Sequence, residues 1–130
     1  MPQFRPTFLS GILLITFTTL SAQSIQSTAW KGFYQPLADT LTLYLLTDSS
    51  SLISTTGTPL LLSTFKLSGD KITFRDYGGI NGCPHDLTGS YRISQTADTL
   101  TLTMAEDPCA GRGDFFLIKK WIRFTPKRGK

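Results

Sequence analysis

The chain has 130 residues, with thirteen Lys and Arg against nine Asp and Glu, two Cys and a single His. That length, once an export signal is subtracted, excludes a second sizeable core. Three of the cations, Lys127, Arg128 and Lys130, crowd the last four residues. The body is therefore close to neutral, and the basic pI is little argument for a nucleic-acid or membrane partner.

Residues 1–22 read as a secretory signal. Arg5 gives the positive start, Phe8 to Phe17 the apolar run, and Ser21 and Ala22 the small residues before a cleavage point at Gln23. The run is too short and too rich in Thr for a stable membrane span, so the protein is expected to be secreted or periplasmic, without membrane insertion after cleavage. Residues 23–126 then form one domain, and 127–130 a basic tail.

The domain reads as strand and turn throughout. Ala29 to Tyr34 puts Trp30, Gly32 and Tyr34 on one face. Thr40 to Thr47 alternates Leu41, Leu43 and Leu45 with Thr40, Thr42 and Tyr44, the period of a half-buried strand. Leu52 to Thr56 is a weaker strand after a polar Ser- and Thr-rich connection. Leu60 to Leu67 and Ile72 to Phe74 flank a tight turn, Ser68-Gly69-Asp70-Lys71. Tyr77 to Asp86 is a loop. Gly89 to Ser94 and Thr99 to Met104 form a hairpin, Glu106 to Asp114 a second loop, and Phe115 to Phe124 the last strand. No helix is predicted. About eight short strands joined by consecutive hairpins predict an all-β fold, a small antiparallel up-and-down β-barrel that leaves no bare sheet edge.

Cys83 and Cys109 flank that hairpin. Opposed residues of an antiparallel pair share one index sum. The turn ends Gln95 and Asp98 give 193, and the cysteines give 192. In an exported chain this placement predicts a disulfide.

The string Gly82-Cys83, Gly89-Ser90-Tyr91, Leu100-Thr101-Leu102-Thr103, Asp107-Pro108-Cys109, Arg112, Trp121 resembles small secreted bacterial lipocalin-like (calycin-type) proteins over about residues 65–124. Gly82-Cys83 before Gly89-Ser90-Tyr91 is also similar, more weakly, to the META domain of bacterial envelope proteins. The lipocalin-like resemblance implies that Trp30 on the first strand packs at the barrel's closed end against a cation of the last strand, Arg123. A guanidinium over an indole contributes about 0.5–2 kcal/mol.

No motif carries catalysis. There is no Gly-rich phosphate loop, no supported Ser-His-Asp set and no basic–aromatic RNA signature. His85 beside Asp86 and Cys83 lacks the further ligands of a metal site when both thiols are paired. Glu106, Asp107 and Asp114 share a loop with Arg112, and Asp76 and Asp86 would reach it through the disulfide. Such carboxylates suit acid–base chemistry or calcium, but Arg112 favours a structural bidentate pair with Asp107. The aromatics Phe65, Phe74, Tyr91, Phe116 and Trp121 either line an apolar ligand cavity or fill the core. The expected function is non-catalytic binding of a small, mainly apolar ligand, without cofactor, metal or nucleic acid. The alternative is an envelope structural or interaction module with a packed barrel, whose loops meet a protein partner.

Overall fold

The computed structural model describes residues 24–126. The signal read over 1–22 and the tail over 127–130 lie outside the described residues. Eight strands run in chain order around one closed antiparallel barrel. They are β1 (Thr28–Tyr34), β2 (Asp39–Leu45), β3 (Ser49–Ile53), β4 (Pro59–Ser68), β5 (Lys71–Gly78), β6 (Thr88–Gln95), β7 (Thr99–Glu106) and β8 (Trp121–Arg123). A 3-10 turn, Gln35–Leu37, follows β1, and one short helix, α1 (Ala110–Phe116), lies between β7 and β8.

Period-two patterning sets which residues fill the interior. In β2, Leu41, Leu43 and Leu45 are buried, whereas Thr40, Thr42 and Tyr44 between them are not. Trp30, Ile72, Phe74, Tyr91, Leu100 and Trp121 join them in a single core with no exposed surface. Burying an aromatic side chain removes roughly 150–250 Å² from water. At about 25 cal/mol per Å², that is an upper bound near 4–6 kcal/mol for each ring. The turn between β4 and β5 pairs Ser68 with Lys71, and Gly69 adopts φ +61°, a backbone state that glycine takes without Cβ strain.

Four expectations need correction. First, Ala110–Phe116 is helical, although a loop was expected there and no helix anywhere. Second, the last strand is three residues long rather than running from Phe115 to Phe124. Phe115 and Phe116 lie on α1 and reach the core from there, and Lys120 is exposed. Third, β3 begins at Ser49, because small Ser50 fits the interior beside Leu52 and is buried with it. Fourth, β6 and β7 pair with an index sum of 195, as Ile93 with Leu102, not 193. Thr96 N–H donates to Thr99 O, which centres the turn one residue later, and a register shift at Ser90/Tyr91 moves the ladder again. The cysteines therefore meet beyond the ladder, between the 79–87 loop and the start of α1.

Candidate functional site

The end of the barrel that carries α1 is built around one buried cation. Cys83 and Cys109 are joined by a disulfide, with Cα atoms 6.2 Å apart. Cys109 is the residue from which α1 starts. One turn later Arg112 points into the barrel and has no exposed surface. Its Nε donates to Asp107 Oδ2 at 2.8 Å and its Nη2 to Asp107 Oδ1 at 2.9 Å, a bidentate pair. Nη2 also donates to the Leu87 carbonyl at 3.0 Å. Nη1 stands 3.1 Å from Asp76 Oδ1 as an ion pair, without hydrogen-bond geometry.

Each carboxylate is further held by a disulfide residue. Cys83 N–H donates to Asp76 Oδ2 at 2.8 Å, and Cys109 N–H donates to Asp107 Oδ1 at 2.9 Å. Ser63 Oγ donates to Asp76 at 2.7 Å, and the Tyr91 hydroxyl donates to Asp107. A side chain on Gly89 would overlap the Asp107 carboxylate, so glycine is what lets β6 pass beneath it.

Burial alone would raise the Asp107 pKa. The hydrogen bonds from Arg112, Tyr91 and the Cys109 amide outweigh it and hold the carboxyl below its ordinary value. Burial and the Asp107 charge both push the Tyr91 hydroxyl upward, keeping it protonated as the donor. A depressed carboxylate pKa stabilises the fold above the unfolded value of about 4, and that gain is lost as pH falls toward the folded value. The urea midpoint is therefore expected to drop between about pH 6 and about pH 3, and to drop less in Asp107→Asn. Equal drops in the two proteins would refute this account.

This cluster ties β4, β5, β6, the end of β7 and α1 together. The side chains of Arg112, Asp76 and Asp107 are buried against one another, and Asp86, Glu106, Asp114 and His85 stand exposed. Among the described residues no group of three or more His, Cys, Asp or Glu could hold a metal ion. Asp76, considered above for calcium, faces Arg112 instead.

The five aromatics read as cavity lining pack against one another. Phe74 stacks on Phe116 with centroids 4.4 Å apart, and Tyr91 meets both rings edge-on at 6.0 and 5.4 Å. Phe65 lies 6.2 Å from Phe74. Trp121 fills the space over Gly32, and its indole N–H donates to Phe116 O at 3.4 Å. At the opposite end of the barrel, the Arg123 guanidinium lies 5.3 Å from the Trp30 ring, and the Trp30 indole N–H donates to Thr28 Oγ1 at 2.7 Å.

An open cavity exists elsewhere. Phe33, Tyr34, Gln35, Pro36, Asp114, Ile118 and Lys119 line a groove of about 470 Å³ between the 3-10 turn and the exit of α1. Tyr34 closes its floor against Phe115, with centroids 4.8 Å apart. Sequence reading missed this groove because half its wall depends on α1. It brought Asp76 to the Glu106 to Asp114 loop through the disulfide but read it for calcium, not as the second carboxylate beside Arg112. The i, i+3, i+4 spacing of Arg112, Phe115 and Phe116 was the available signal for the helix. No family model matches the chain, and neither a curated protein nor a solved structure does.

Proposed function

We propose that this chain is an exported, non-catalytic binding protein for a small, mainly apolar molecule, held in the groove at the helix-bearing end rather than inside the barrel. The groove carries the reading. It is apolar along Phe33, Tyr34, Pro36 and Ile118, has a few polar groups at its edge in Gln35, Asp114 and Lys119, and falls in the size range of small-molecule sites. Phe33, 55% exposed, lies beside Pro36 and Ile118 in this groove, so the exposed apolar surface there is contiguous. The disulfide supports export, since such bonds persist in oxidising compartments.

The test is titration with an apolar fluorescent dye. Saturable uptake is expected, weakened at least about tenfold in Phe33→Glu, a change worth about 1.4 kcal/mol. Tyr77→Ser, at another exposed aromatic, should bind as the parent does. Absence of saturable uptake by the parent would retire this function. The second reading, a packed interaction module, would then stand on the mutually filled interior and on Tyr77 and Ile80, which are 62% and 71% exposed beside the stapled loop.

A further inference from the structure

The groove between the 3-10 turn and the exit of α1 is lined by one anion and one cation, Asp114 and Lys119, beside the apolar surface of Phe33, Tyr34, Pro36 and Ile118. Both charged residues are exposed. Among the described residues, neither pairs with the other or with any third charge. Asp76 and Asp107, by contrast, are both taken up by Arg112. Helix stability does not account for Asp114. It lies in the last turn of α1, where the carbonyl ends disfavour an anion, and no basic residue stands in that turn to offset it. Gln35 adds a side-chain amide to the same lining, a group that both donates and accepts hydrogen bonds.

We infer that the groove takes a short apolar peptide with both ends free, a cation and an anion carried on one apolar body. The inference rests on the groove being the binding site proposed above, and it names the class of molecule held there. A ligand of a single charge meets one of Asp114 and Lys119 as an opposite charge and the other as a like charge. An uncharged ligand takes water from both and gives nothing in return. A zwitterion answers both, its ammonium facing Asp114 and its carboxylate facing Lys119. The Gln35 amide suits the peptide group between them, and Phe33, Pro36 and Ile118 suit apolar side chains. Two residues of extended chain span about 7 Å, so the ends of a dipeptide reach partners that stand apart. Asp114 and Lys119, which form no ion pair with each other, are such partners.

The experiment is calorimetric titration of the chain from Gln23 onward, which holds every strand of the barrel, with leucyl-phenylalanine. Its N-acetyl form, its carboxamide and the doubly blocked peptide are titrated beside it. Each blocked end is expected to weaken binding roughly threefold, the size of an exposed ion pair. Two variants then separate the ends. In Asp114→Asn the N-acetyl penalty should disappear and the carboxamide penalty remain. In Lys119→Gln the reverse should hold. Both side chains are exposed, so neither change touches the core. Lys120→Gln, outside the groove lining, should bind all four peptides as the parent does. At about 1 M salt, where the Debye length is about 3 Å, the preference for free ends should vanish while dye uptake persists. A doubly blocked peptide that binds as tightly as the free one would overturn the inference, and so would penalties that survive in both variants. Saturable dye uptake without any preference for free ends retires this inference alone. Uptake of neither dye nor peptide retires the groove with it.

Discussion

Replacing Arg112 with alanine is expected to destabilise the protein by about 3–5 kcal/mol, the cost of leaving buried carboxyls without their cation. For a domain of this size that lowers the melting midpoint by roughly 12 °C or more. The size of the effect follows from what the guanidinium touches. It holds both oxygens of Asp107, the Leu87 carbonyl and Asp76, and the side chains of both aspartates have no exposed surface. An aliphatic side chain satisfies none of them. Arg112→Lys should recover only part of the loss, because an ammonium is a point charge and lacks the fork that meets Asp107 at two positions. Urea unfolding followed by the fluorescence of Trp30 and Trp121 measures this. A midpoint for Arg112→Ala within error of the parent would show that the cluster is not a source of stability.

Removing the disulfide in a Cys83→Ser, Cys109→Ser variant is expected to cost about 3.5 kcal/mol. The bond closes a sequence separation of 26 residues, and loop-closure entropy in the unfolded chain gives that magnitude. A second loss adds to it. The amides of these two residues donate to Asp76 and Asp107, so freeing the sulfurs also loosens donors of the Arg112 cluster. The two prediction sets are therefore coupled. The triple variant should lose less than the separate losses combined, by more than about 0.5 kcal/mol. Strict additivity would show that the staple and the ion cluster act independently.

The barrel was legible where one face of a strand is apolar. The leucines of β2 at alternate positions, and the Ser68-to-Lys71 turn with its glycine, allow little else, and consecutive hairpins imply consecutive neighbours. The helix was not legible because local preference argues against it. Seven residues that include Gly111, Gly113 and Asp114 would not form an isolated helix in water. Tertiary contacts at Cys109, Arg112, Phe115 and Phe116 hold it. Losing the helix also lost the groove, since Asp114, Ile118 and Lys119 reach Phe33 only because the chain turns there. The hairpin register was missed for a smaller reason. Hydroxyl and amide bonds between Thr96 and Thr99 choose the turn, and side-chain alternation gives no hint of them.

The brevity of β8 governs the order in which this molecule can assemble. The ladder of β8 has two residue pairs with β1 and two with β7, extended by one backbone bond on each side, from Phe124 N–H to Ala29 O and from Arg123 N–H to Asp98 O. A chain ending before Trp121 would carry two bare strand edges and lack the indole that covers Gly32. Ring closure brings residue 30 to residue 123, which makes it a late, entropically costly step. A polypeptide threaded out of a cell amino end first would thus stay pliable until its carboxyl end had passed through.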